Sequence, residues 1–481
     1  MPARPSRPIF VVTIAALVAL AGVAVFADSA QSQSASATKT AIPAASLAES
    51  TATGGVTVTS APSVGDGSGS RTADPSHAPS STPTAAPAAS SFSAASTTTA
   101  TEKVWVSVLS ATPQTSDDVN PGLTQAAVQS LVAQLSSYWS AQSNGAVTIG
   151  LAGFETRSLG ESACDPSVAL SAEEVGAFGG MFANAAWKGT HQHLLVLSAE
   201  SCNADSFATV GGTGGEIFSG NGIGTSMGVP YLLHEFGHNL GFEHADASIC
   251  TNTGSYDGKS ADFAFASTVC PTREYDDYFD IMGYTVKNAT PNLSSPQRIL
   301  AGWMTNYATI TSATPSTTKT LTALGSSGGT QALKVIDPAS GDVYYIEYRT
   351  NAGLDATSAE FNYGLQCDPS MSGYTICELD TSKTAGTVRI LRTIRVASSG
   401  AIGTTVMAIA LTAGSSDKTR RHTHLNSGES FTSVDGSFRI SVLSTNPSSG
   451  ASISVTFATN TPTPSPTFST VPAPVQLVTS G

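Results

Sequence analysis

The sequence predicts an α+β protein with two ordered parts, and two observations carry that expectation. Between 103 and 307, runs that read as strands alternate with runs at helical period. From 308 to 458 the helical period disappears, and short β-branched and aromatic runs take over, punctuated by Gly, Asn, Ser and Asp. The first part is expected to be a twisted mixed sheet with helices, the second a β-sandwich-like domain.

At the N-terminus, Arg4 and Arg7 precede an apolar run over 9–26, closing on Val25-Phe26-Ala27. A basic flank, an apolar centre and small residues at the end read as a secretory signal peptide over 1–27, so a secreted, extracellular protein is expected. The alternative is an uncleaved signal anchor at the cell surface, because the run is near the lower limit for spanning a bilayer. Residues 28–102 are mostly Ser, Thr, Ala, Pro and Gly. That composition buries too little apolar surface to offset ordering entropy, so the stretch reads as a disordered spacer or a pro-segment. No Cys precedes Cys164, so such a segment has no thiolate to place on a metal.

Val104-Trp105-Val106-Ser107-Val108-Leu109 opens the ordered part as an alternating strand. Leu123, Ala127, Leu131, Leu135, Tyr138 and Trp139 fall at helical spacing, and Asn144-Gly145 stops that helix. A strand at Val147-Thr148-Ile149-Gly150-Leu151, a helix over 168–187 and a strand at His193-Leu194-Leu195-Val196-Leu197 follow. His191 and His193 match no ligand motif and are expected at the surface or at a strand end. Gly211-Gly212-Thr213-Gly214-Gly215-Glu216-Ile217-Phe218 reads either as backbone that approaches a ligand closely or as a loop.

The most informative stretch is His234-Glu235-Phe236-Gly237-His238-Asn239-Leu240-Gly241-Phe242-Glu243-His244. On a helix beginning near 226–229, with Pro230 in its first turn, His234 and His238 lie four apart on one face and can grip one metal ion. Glu235 can reach the same open side. Leu233, Phe236, Gly237 and Leu240 give an apolar stripe for the core. Gly241 supplies the left-handed residue that ends the helix, and the chain can return His244 as a third ligand. Three imidazoles and a water form the open tetrahedral site typical of catalytic Zn2+.

Together with Asp280-Ile281-Met282-Gly283-Tyr284, this motif resembles the metzincin metallopeptidases. The fuller context HEFGHNLGFEHA, YDDYFDIMGY and SPQRILAGW is most similar to the gametolysin family. The resemblance covers roughly 103–307 and implies a metzincin-type catalytic domain there. It implies one Zn2+ on His234, His238 and His244, Glu235 as general base, and Met282 packed beneath the metal. Tyr284 stands where astacin-like and serralysin-like metzincins carry a tyrosine that touches zinc or the transition state. By that resemblance Tyr284 is a candidate catalytic residue, with a place in the pocket wall as the alternative. An edge strand just before the active helix is implied to pair with an extended peptide substrate. The expected activity is zinc-dependent endopeptidase hydrolysis of extracellular proteins. The alternative is a zinc-binding surface adhesin whose β domain carries the function.

Glu274, Asp276, Asp277 and Asp280 read as a solvated acidic loop, with a structural cation or an orienting role toward a zinc ligand as alternatives; Ca2+ has no specific support. Ser294-Ser295-Pro296-Gln297-Arg298 followed by Ile299-Leu300 reads as a final short helix ending near Gly302-Trp303. In the second part, strands are expected around Val343-Tyr348, Thr387-Leu391, Ser437-Val442 and Ser452-Phe457. Arg420-Arg421-His422-Thr423-His424 is expected as a solvated basic loop, and 459–481 as a disordered Thr/Pro-rich tail. The six cysteines suit disulfides in an exported chain, with connectivity open. Nearest-neighbour pairing gives Cys164 with Cys202, Cys250 with Cys270, and Cys367 with Cys377. A net charge of −13 with 12% charged residues leaves no basic footprint for nucleic acid. No membrane partner is expected unless the signal segment stays uncleaved.

Overall fold

The computed structural model describes residues 58–60 and 100–458, the latter with breaks at 111–122, 160–162, 185–186, 188–189, 199–205, 212–213, 221–227, 249, 251–256, 265–266, 285–287, 364–374, 377–385, 396–400, 408 and 411–419. The signal segment, most of the expected spacer, the tail, and Cys202, Cys367 and Cys377 lie outside the described residues.

The architecture mixes α and β, with several mixed sheets and few helices. The first sheet contains β1 (Val58–Ser60), β2 (Ala100–Ser110), β3 (Val147–Ser158), β4 (Gln192–Ser198), β5 (Phe207–Thr209) and β6 (Gly214–Ser219). Their order is β1-β5-β6-β4-β2-β3. β3, β2, β4 and β6 run parallel; β5 is antiparallel to β6, and β1 to β5. The Gly-rich stretch therefore forms an interior strand, not an edge, and Val58–Ser60 from the expected spacer pairs on the far side of β5.

Two helices cover this sheet's connections. α1 (Gln125–Gln142) starts at Thr124, whose hydroxyl accepts from the Ala127 N–H, and ends at Asn144 and Gly145, both at positive φ. Its Val128, Leu131, Val132, Leu135 and Trp139 form one buried face against β2, β3 and the helix that carries the histidines. Each such burial stabilises by roughly 1.5–3 kcal/mol. α2 (Pro166–Gly176) is shorter than the expected 168–187. Asp165 caps its start, and after Gly176 the chain tightens into a 3₁₀ turn with Phe178 at positive φ.

α3 (Gly228–Asn239) carries the first two histidines, with Pro230 in its first turn. β7 (Phe242–Ser248) follows, then the short β8 (Phe263–Ala264), β9 (Cys270–Arg273) and α4 (Ser295–Leu300). The remaining strands are β10 (Tyr307–Ile310), β11 (Ser316–Leu321), β12 (Ala332–Ile336), β13 (Val343–Thr350), β14 (Thr375–Ile376), β15 (Gly386–Arg395), β16 (Ile402–Met407), β17 (Ile409–Ala410), β18 (Arg420–His422), β19 (Ser430–Thr432), β20 (Phe438–Asn446) and β21 (Gly450–Phe457), with α5 (Ala359–Tyr363) between β13 and β14.

The boundary expected at 307 runs through one sheet. β10, β12, β13, β15 and β16 continue into β7, β9 and β8, with β16 parallel to β7. The Ile402 N–H donates to the Gly241 carbonyl at 3.0 Å, at the residue that ends α3. A four-stranded sheet, β11-β21-β20-β19, shares an apolar core with this larger one. Tyr344, Ile346, Tyr348, Val388 and Ile390 meet Phe431, Phe438, Ile440, Ile453 and Val455 there. The basic stretch is not a solvated loop: Arg420–His422 is a strand, and Thr423 and His424 are buried. Among the described residues no helix is long and apolar enough to cross a membrane.

Candidate metal centre

α3 is buried almost all round, because it lies between the first sheet, α1 and the turn that contains Met282. Gly237 is required on its inner face: a Cβ there would stand 2.4 Å from the Met282 sulfur and 3.1 Å from Trp139. Met282 itself is fully buried and packs under the helix that bears the histidines. The helix ends as its sequence requires, with Gly241 at φ 94° and its N–H bonded to the His238 carbonyl. That turn brings His244, on β7, back beside His234 and His238.

The three histidines are buried, and their available ligand atoms lie within 4.8 Å of one another. Each ring is tied by Nδ1. His234 donates to the Ile281 carbonyl at 2.8 Å, His238 to the Phe242 carbonyl at 2.8 Å, and His244 to a Glu274 carboxylate oxygen at 2.5 Å. Carbonyls and carboxylates only accept, so each Nδ1 carries a proton and each Nε2 is the ring atom left to meet a metal. All three Nε2 atoms are buried with no hydrogen-bond partner. Burial, with the neighbouring imidazoles, pushes His234 down to about 3 and His238 well below the usual imidazole range. Three buried imidazoles whose partnerless Nε2 atoms lie close together are the donor set a metal ion such as zinc accepts. Glu235, fully buried, follows the first of them on the same helix.

The acidic stretch after β9 is built into this centre, and most of it is not solvated. Asp277 and Asp280 are fully buried and Asp276 nearly so. Asp280 accepts from the Met282 N–H at 2.8 Å and the Ser294 N–H at 2.7 Å, which fixes the turn under the metal helix. Burial and the adjacent Asp277 push Asp280 up to about 7. Asp277 bonds the buried Arg389 of β15 and accepts from the Phe279 N–H. Arg389 also pairs with Glu347 of β13, which pairs with Arg349, which reaches Asp355 and the carbonyls of Phe279 and Asn292. Strands from the second half of the chain therefore brace the Met282 turn through buried charges. Glu274 supplies the orienting carboxylate for His244.

The aromatic ring in contact with the histidines is Tyr275. Its centroid lies 3.9 Å from that of His244 and 5.9 Å from that of His234. Tyr275 adopts φ 63°, costly for a bulky residue, and its N–H is held by Asp246 at 3.2 Å. The ring of Tyr284, the expected catalytic tyrosine, instead lies against Tyr278 beside Ala289 and Ala359.

His193 stands at the start of β4, the strand-end place expected for it, but is fully buried there, its ring 4.6 Å from that of Phe236 of α3. Its ring nitrogens meet Glu102 at 2.9 Å and Asn239 at 3.0 Å, and Asn239 donates to the Thr209 carbonyl. Burial opposes the charge on Glu102, but the hydrogen bonds from His193 and the partly exposed His191 outweigh it and hold its pKa below the ordinary value. This chain pins the C-terminal end of α3 to the first sheet. A repeating i, i+4 signal exposes His234 and His238 in the sequence, whereas nothing local marks Glu102 and Asn239 as partners.

Cys250 and Cys270 form the expected disulfide, closing the loop between β7 and β9. Cys164 is also disulfide-bonded, and no free cysteine is found among the described residues. Neither a family model nor a curated protein matches the chain.

Proposed function

We propose that the chain is a secreted zinc endopeptidase of metzincin type, most similar to the gametolysins. The observation that carries this reading is the set of three buried, partnerless Nε2 atoms, each fixed by a bonded Nδ1, with the Glu235 carboxylate on the same helix. Four parallel strands, an antiparallel fifth and a following helix bearing the first two histidines support the same reading. The Cys250–Cys270 disulfide suits an oxidising, extracellular setting.

His234, His238 and His244 would hold the ion. Zinc, once held, supplies Lewis acidity toward a peptide carbonyl and makes an attacking water acidic. Glu235 accepts the water's proton and returns it to the leaving amine, a role that suits a buried carboxylate next to the first ligand in the chain. Glu274 keeps the His244 proton on Nδ1 and so keeps Nε2 a donor of electrons. Tyr275 covers the His244 ring and shields the ligand from bulk water.

A digest of a denatured protein, with and without a chelator and with products identified by mass, tests the reading. Internal cleavage that stops on chelation and returns with zinc is expected. Intact substrate under zinc-replete conditions would overturn it.

A further inference from the structure

A polar cavity lies where the end of α1, the segment before α4 and the glycine-rich turn after β11 meet. Its volume is about 520 Å³, within the range of small-molecule sites. Among the described residues, its single charged lining residue is Arg298 and no carboxylate lines it. Arg298 is 6% exposed, and its Nη1 is buried with no hydrogen-bond partner. Its Nε donates to the Gln142 carbonyl at 2.9 Å, which sets the direction of the guanidinium. The acidic groups whose field reaches it are already committed. Glu347 bonds Arg349, Arg389 and the Ser295 N–H, and Asp355 bonds Arg349 and the Asn292 N–H.

A second donor faces the same space. The Leu293 N–H donates to Gln142 Oε1 at 3.0 Å, so Gln142 must present Nε2 to Asn292. Asn292 therefore turns Oδ1 toward Gln142, at 3.1 Å, and leaves Nδ2 for the cavity. Gly325 keeps room beside that amide: a Cβ there would stand 2.9 Å from Nδ2, and its φ of 80° also favours glycine. Burial and the nearby Arg349 hold the Arg298 pKa below the ordinary guanidinium value, the response of a buried cation without a counter-ion.

We propose that this cavity binds a small oxyanion, a carboxylate or a phosphate, between the Arg298 guanidinium and the Asn292 amide. A planar guanidinium and a neighbouring N–H match two oxygens of such an ion, and the ion would supply the charge partner that Arg298 lacks. It would also tie α1, the segment before α4 and the turn at 325–328 together. None of these groups belongs to the histidine centre, so the proposal stands or falls independently of the peptidase reading.

The test is calorimetric titration of the full zinc-loaded protein at fixed ionic strength. Inorganic phosphate is one probe, and N-acetylglycine, a blocked residue with a free carboxylate, is the other. Saturable one-to-one binding of at least one probe is expected, and the tighter of the two identifies the source of the oxyanion. Arg298→Gln should weaken it about tenfold or more. Should that variant fail to fold, Asn306→Asp decides. Asn306 also lines the cavity, and a nearly isosteric carboxylate there puts a negative charge in the space the probe would occupy. It should likewise weaken binding about tenfold. Absence of saturable binding by both probes, or binding unchanged in Asn306→Asp, overturns the proposal.

Discussion

Glu347→Gln is the substitution that tests how the second half of the chain supports the metal centre. Glu347 is fully buried between Arg349 and Arg389, at 2.7 and 2.9 Å. Burial alone would raise its pKa, but the two guanidinia outweigh it and hold the carboxyl down to about 2 from an ordinary 4.5. That fall corresponds to about 3 kcal/mol of preference for the charged form in the folded state. Glutamine keeps the shape but leaves two buried cations with less compensation, and breaking such a cluster typically costs about 3–5 kcal/mol. Urea denaturation at neutral pH should show a loss of about 3 kcal/mol in the variant. The sign with pH follows from the lowered pKa. The contribution is fully present above 4.5 and is lost as pH falls toward 2, so wild type and variant should converge in that window and stay parallel above it. Because Arg389 also holds Asp277, zinc affinity should fall in the same variant. A variant within about 1 kcal/mol of wild type at neutral pH, with unchanged zinc affinity, would refute the bracing role.

Three further outcomes are expected. Glu274→Gln should weaken zinc binding by about 10–100-fold in a chelator competition, because it removes the carboxylate that fixes His244; unchanged affinity would mean that the 2.5 Å contact is incidental. Tyr275→Leu should speed zinc release, whereas Tyr284→Leu should not, since only Tyr275 is in ring contact with two of the histidines; equal rates would remove the shielding role. Replacing Cys250 and Cys270 together by serine should cost about 2–4 kcal/mol in denaturant unfolding, and a loss well under 1 kcal/mol would show that the loop between β7 and β9 is ordered without the bond.

What the sequence reveals depends on how local each signal is. His234, Glu235 and His238 fall within one helix, where spacing alone sets direction, His244 follows three residues after the Gly241 cap, and the structure brings the three histidines together as expected. β2, β3, β4 and α1 were legible as strand and helix patterns, whereas the glycines of β6 hid a strand behind a loop-like composition. Glu347, Arg349 and Arg389 were not, because charges at alternate positions normally mark a solvated strand face. Here Tyr344, Ile346 and Tyr348 of β13 face the sandwich core, while Glu347 and Arg349 on the other face meet the start of α4 and the segment leading into the Met282 turn. Both faces are covered, so the charges are buried. The same long-range pairing, β16 alongside β7, carries one sheet across the boundary expected at 307. Tyr275 was missed because its place over His244 depends on a left-handed backbone turn that no side-chain pattern announces.

The most direct measurement is proteolysis by Glu235→Gln at full zinc occupancy. The variant keeps the size of the side chain and leaves all three histidines untouched, so one zinc per chain and an unchanged fold are expected. Casein digestion should fall by more than about a hundredfold, as for a missing general base. His238→Ala, which deletes a ligand, should lose both zinc and activity, so metal content separates the two variants. Glu235→Gln with one bound zinc and digestion close to the parent rate would contradict the catalytic assignment and leave a zinc-binding protein that does not use this carboxylate.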